Sequence, residues 1–317
     1  MKKLLGLALF LVILYGLMLV ADPGARSAQN HINLTKRMGL YGINALGMGI
    51  LIISGGIDLS IGATTALYVT VMTVLMVDER IPPPVAMLIT LALGAAIGLV
   101  NGLLVTRLKV QAFVVTLCGL FIYRGLARWL SGDKDRGLGN GFATFTRVMF
   151  DNRDVLGLPM SLVIFLVLCA IAAVFLHKSV YGRYLYAIGS NEQAAKYAGI
   201  PVNRYRTLAY VLCGTLSALF SIVWLAENKS YQPSQTGSSF ELYAIAAAVL
   251  GGCSLRGGEG SVAGIMIGTA IIWILPTFTN MWGVPNSLQF TVIGAALLLG
   301  ALIDETLRRR GLAKVST

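Results

Sequence analysis

Few side chains in this 317-residue chain can do proton or metal chemistry, and their placement narrows that chemistry further. The two histidines, His31 and His177, are far apart, which argues against a His-based metal site. Cys118, Cys169, Cys213 and Cys253 form no CxxC pair, and three of them sit inside apolar runs. They read as small buried hydrophobes, not as metal ligands or disulfides. Glu227, Glu241, Asp304 and Glu305 fall at the ends of apolar stretches. The sequence has no Walker A pattern, no HExxH, no GxSxG and no dinucleotide fingerprint. We therefore expect no cofactor, no metal and no catalytic residues, and no hydrolysis of ATP by this chain itself.

The exception is Asp58, an acid that stands between two apolar runs. Two readings are open. An ion-coupled secondary transporter of a small polar solute would want an ionisable group deep in the membrane. Alternatively, a carboxylate at a helix break can cap the next helix by accepting its free N–H groups.

The elements that position Asp58 follow from composition. Hydrophobic residues make up 56% of the chain and charged residues only 12%, with a mean hydropathy of +0.76. Soluble domains carry about 25% charged residues, so the solvent for most of this surface must be lipid. The net charge of +11 then belongs to loops facing the cytoplasm, not to a nucleic-acid surface. Apolar stretches of about 20 residues, the helical length that crosses a bilayer, recur along the chain. We place them at 4–21, 38–54, 59–77, 85–105, 112–130, 160–176, 207–226, 242–253, 261–279 and 287–303. The expected fold is one all-α transmembrane domain, residues 1–317, with about ten spans and both termini inside. Leu4 to Ala21 is long for a signal peptide and reads as a retained first span. This orientation puts more Lys and Arg inside than outside, with Lys36-Arg37 as the main misfit. The stretch 242–253 is short and could be re-entrant.

Two spans are interrupted. Ser54-Gly55-Gly56-Ile57-Asp58-Leu59-Ser60 and Gly251-Gly252-Cys253 through Ser261 each follow an apolar run with a glycine pair and polar residues. Lipid does not tolerate freed backbone groups, so such breaks must face protein or a watery path. Their likeness hints at an internal repeat. Gly94, Gly98 and Gly102, and again Gly260, Gly264 and Gly268, recur every four residues and read as helix-packing stripes.

The inside loop 177–206 contains a start signal, Ser190 with Gln193 three residues on, and a stop at Gly199-Ile200-Pro201. The expected helix, 191–198, is far too short to span a membrane. Its alanines suit docking into another protein's groove, or it lies on the membrane surface.

At this point the chain resembles the ribose-type sugar permeases of bacterial ABC importers. Ser54 to Gly62 is similar to that family's SGGIDLSVG. Ala187 to Ile200 is similar to its AxGxNxxAAxxxGI loop. Ala244 to Gly252 with Gly258-x-Gly260-Ser261 is similar to its third block. Arg256 and Glu259 depart from that block, where uncharged residues are expected. The resemblance implies an inner-membrane permease with a second permease copy, a cytoplasmic ABC ATPase and an extracytoplasmic sugar-binding protein. It carries over Gly189, Asn191, Ala194, Ala195 and Gly199, with Glu192 beside them, as residues of ATPase coupling. It suggests Ser54, Gly55, Gly56, Asp58 and Ser60 near the translocation pathway. The outside loop Asn228 to Gly237, with Pro233 and Gln235, could touch the binding protein. Substrates in this family include pentoses, hexoses and autoinducer-2.

Overall fold

The computed structural model describes residues 2–21, 23–139, 145, 158–295 and 298. Most of them are helical. The long helices are α1 (Lys2–Ala21), α2 (Ala28–Ile53), α3 (Ile61–Thr73, continued as a π turn to Asp78), α4 (Pro83–Thr106), α5 (Ala112–Ser131) and α6 (Met160–Lys178). Then come α7 (Val180–Ser190), the short α8 (Glu192–Tyr197), α9 (Val202–Asn228), α10 (Phe240–Leu250) and α11 (Val262–Met281).

Six helices among the described residues are long and apolar enough to cross a membrane: Ile61–Asp78, Pro83–Thr106, Ala112–Ser131, Met160–Lys178, Val202–Asn228 and Val262–Met281. Large apolar side chains stand on the outside of the bundle, among them Leu9 and Val12 on α1, Leu88 on α4, Phe121 on α5 and Ile171 on α6. Water would not support so extensive an apolar surface.

Helix α2 is the centre. Ser27 starts it, its side chain accepting the Asn30 N–H. From Gly39 onward nearly every residue is buried, because α6, α9, α10 and α11 pack around it. Glycines permit the close contacts: a Cβ on Gly42 would meet the Phe165 ring at 2.6 Å. Helix α9 runs antiparallel to α2, with Tyr41 beside Phe220 at one end and Arg206 beside Ser54 at the other. Lys36, a misfit to the charge rule, pairs with Glu227 at 2.8 Å where α9 ends.

Gly94, Gly98 and Gly102 on α4 lie against the backbone of α9 near Gly214, Tyr210 and Thr207. The second stripe differs from expectation. Gly260 precedes α11 with φ +152, against the Cys253 sulfur and the Ile53 side chain. Only Gly264 and Gly268 stand on the helix, against Ala247 of α10 and Gly251 just after it.

Other boundaries also shift. The helix expected over 38–54 begins at Ala28, and that expected over 207–226 begins at Val202. The stretch 242–253 is the 11-residue α10. At about 1.5 Å per residue it reaches only about half of a bilayer core. Residues 289–295 are helical, and most of the expected span 287–303 lies outside the described residues.

At the end of the bundle where α9 finishes, Arg136 and Gly137 pair antiparallel with Tyr231 and Ser230. Arg136 donates to both Asp78 oxygens at 2.5 and 2.8 Å, and Gln232 to Asp135 at 2.8 Å. A cavity of about 460 Å³ opens beside this clasp, lined by Trp224, Tyr231, Gln232, Gln235 and Phe240. Gln235 is exposed there, whereas Pro233 is buried and its carbonyl accepts from Arg124.

Candidate functional site: a joint between a short helix and two helix breaks

The two breaks end their helices alike. After α2, the Gly56 N–H bonds to the Leu51 carbonyl and the Gly55 N–H to Ile52, with Gly55 at φ +79. After α10, the Cys253 N–H bonds to Ala248 and the Gly252 N–H to Val249, with Gly252 at φ +88. Both are Schellman endings, in which a left-handed glycine returns two N–H groups to orphan carbonyls. Helix α8 closes the same way, with Gly199 at φ +78 and the Ile200 N–H on the Ala195 carbonyl.

The three segments meet. The Gly258 N–H donates to the Ile53 carbonyl at 2.9 Å, joining the breaks directly. Gly189, one residue before the end of α7, fits where a Cβ would overlap both Ile53 O and Gly258 N. Tyr186 of α7 donates to the Gly260 carbonyl at 2.8 Å. Arg206 of α9 donates through Nη1 to Glu192 Oε2 at 2.8 Å and through Nε to the Ser54 carbonyl at 3.3 Å. Glu192 also pairs with Lys196, one turn along α8. These donors, Lys196 first and Arg206 after it, hold the Glu192 carboxyl below its ordinary pKa. It therefore stays charged throughout the neutral range.

The start of α8 corrects the capping expectation. Ser190 is the last residue of α7, and Asn191 is the cap, its Oδ1 accepting the Ala194 N–H at 3.0 Å. Asn and Ser are equal as caps, so the choice falls to packing: buried Leu185 and Ile188 carry α7 through to Ser190. Ala195 is 4% exposed and packs on Ile188 and Val202 of this chain. It belongs to the seat of α8, not to an outward face. The outward face carries Ala194, Ala198 and Tyr197, the last 90% exposed.

Within the first break, Asp58 is 4% exposed. Its Oδ1 accepts from the Ser60 N–H at 2.8 Å and the Ser60 hydroxyl at 2.5 Å. Asp58 thus folds a turn on Ser60, the residue before α3; the Ser60 side chain makes no cap, and an amide of α3 itself, the Gly62 N–H, bonds to Glu241 instead. Asn101 Nδ2 lies 3.5 Å from Ser60 Oγ, and Tyr123 Oη donates to Asn101 Oδ1 at 3.1 Å. A polar chain thereby crosses from α5 through α4 to Asp58. Gly56 leaves room for Tyr210, whose hydroxyl donates to the Ile57 carbonyl at 3.2 Å. Arg256 and Glu259 of the second break are exposed at its rim.

Arg206, Tyr186, Asn101 and Tyr123 escape sequence reasoning. Arg206 counts there as one loop cation among many, and its partner Ser54 is 152 positions away. The apolar stretch begins only at 207, so no signal in the sequence places Arg206 in the second turn of a long helix.

Residues 30–301 match the family described as branched-chain amino acid transport system / permease component. The chain is 38% identical to the ribose import permease protein RbsC of Bacillus subtilis (strain 168), over 96% of this chain and 93% of that protein. It is 36% identical to RbsC of Escherichia coli (strain K12), over 93% of this chain and 91% of that one. It is 38% identical to the autoinducer 2 import system permease protein LsrD of Escherichia coli O9:H4 (strain HS), over 81% and 78%. No solved structure matches it. The chain belongs to this permease family and is a multi-pass protein of the bacterial inner (plasma) membrane.

Proposed function

We propose that the chain is the permease subunit of an ATP-driven importer that carries a monosaccharide of pentose or hexose type across the inner membrane by alternating access. A separate cytoplasmic ATPase binds the outward face of α8, an extracytoplasmic sugar-binding protein delivers substrate at the opposite end, and a second permease copy completes the path. The single observation that carries this reading is the joint: Gly189, at the end of α7 just before the short helix, packs against both breaks, and Arg206 of α9 bridges the short helix to the first. Movement of α8 has a physical route to the two places where the backbone leaves helical form. The family match and the ribose and autoinducer 2 permeases among the relatives support the substrate class.

In this reading α1, α2, α10 with its break, and 287–303 join the six long apolar helices to make ten spans with both termini inside. Residues 177–206 are the coupling loop. Ser54, Gly55, Gly56, Asp58 and Ser60 flank the pathway, supported by the buried polar chain from Tyr123 to Asp58.

The test is uptake into vesicles holding the chain with its ATPase. Uptake is expected with ATP and binding protein and absent with a proton gradient alone. Robust gradient-driven uptake by this chain by itself would replace the reading with an ion-coupled carrier.

A further inference from the structure

The end of α2 carries more than its own turn. Its last carbonyls are all taken: Leu51 by Gly56, Ile52 by Gly55, Ile53 by Gly258, and Ser54 by Arg206. Two of these partners are local and two come from other elements. The Ile53 bond ties α2 to the second break. The Ser54 bond ties it to α9 through a side chain whose other end holds α8 by Glu192. The Arg206 side chain is largely enclosed, at 15% exposure, and Gly55 leaves its guanidinium space: a Cβ there would lie 3.8 Å from Nη2. A planar fork can hold a carboxylate and a carbonyl at once in fixed directions, and an ammonium cannot. A cation is also favoured at a helix C-terminus, where the backbone dipoles leave partial negative charge.

We propose that Arg206 is a positioning residue that transmits displacement of α8 to the first break, by gripping Glu192 with one edge of its guanidinium and the Ser54 carbonyl with the other. The inference rests on the permease reading above and adds the residue through which that joint acts. Arg204, one turn-fragment earlier on α9, is exposed and supplies the matched control of equal charge.

The experiment measures sugar imported per ATP hydrolysed, in proteoliposomes of the full complex with its ATPase and binding protein. Interaction networks of this kind carry coupling of about 0.5–2 kcal/mol, so Arg206→Ala is expected to lower the ratio roughly 2- to 30-fold. Assembly with the ATPase, followed by co-purification, is retained. Arg206→Lys keeps the charge but not the fork and is expected to fall between. Arg204→Ala leaves the ratio unchanged. A residue that only held the fold would lower the amount of complex without changing the ratio in what assembles. An unchanged ratio in Arg206→Ala, or an equal fall in Arg204→Ala, overturns the proposal. If Arg206→Ala fails to assemble, Glu192→Gln decides: a lowered ratio supports the bridge and an unchanged one overturns it. Failure of the unaltered chain to import in an ATP-dependent way would instead count against the permease reading itself.

Discussion

The first and second breaks end their helices with the same motif and then diverge. After Gly55 the chain turns inward, and Ser54, Asp58 and Ser60 are all buried. After Gly252 it stays at the rim, with Leu255, Arg256 and Glu259 exposed and left-handed glycines at 257 and 258. The difference lies in how the freed backbone is satisfied. The inner break uses side chains, the Asp58–Ser60 turn backed by Asn101 and Tyr123. The outer one bonds to itself, Gly257 N–H to Ser254 and Ser254 N–H to Glu259, and to its neighbour at Ile53. One helix-ending rule thus serves two ends: a buried polar chain inside the bundle and a backbone seam at its edge. Charge is costly in the first and tolerable in the second, which accounts for Arg256 and Glu259 in a block expected to be uncharged.

The strongest way to break the comparison is at the seam. Gly189→Val forces a branched side chain into the space of Ile53 O and Gly258 N, so a loss of about 3 kcal/mol or more is expected, read as loss of folded protein in the membrane. Next comes the inner break. Asp58→Ala leaves the buried Ser60 N–H unpaired, at a cost of about 1–3 kcal/mol by thermal unfolding in detergent. Glu259→Gln at the rim is expected to stay within about 0.5 kcal/mol in the same assay. The shared motif is sharpened by Gly55→Ala and Gly252→Ala. Both glycines are left-handed with no atom nearer than 3.8 Å to an added Cβ. Each should cost about 1–2 kcal/mol, and equally.

The joint yields the remaining two. Ala194→Arg should leave the chain folded but abolish co-purification with the ATPase, whereas Ala195→Arg, in the seat, should reduce folded protein first. The Glu192 carboxyl has a lowered pKa, so its contribution is full above the ordinary carboxylate range and is lost as pH falls through the lowered value. Sugar import per ATP should therefore be flat through neutral pH and weaken only in acid.

Helices and breaks were legible in the sequence because their causes are local: apolar length, glycine pairs and left-handed stops. The short helix was legible as an element, but its start was misread by one residue. Ser190 and Asn191 compete for one role, and buried Ile188 settles it from outside the motif. Ala195 looked like part of an outward small-residue face because a helix six residues long carries too little periodicity to tell its sides apart. The polar chain from Tyr123 to Asp58 and the Arg206 bridge join residues far apart along the chain, so no spacing records them.

The clasp of Arg136-Gly137 against Ser230-Tyr231, locked to Asp78 and Asp135, stands at the other end of α9 from Arg206. It ties three loops together at that end. In the proposed reading, a push delivered near Glu192 meets a long helix whose far end is tethered, so the expected motion is that of a lever and not of a piston.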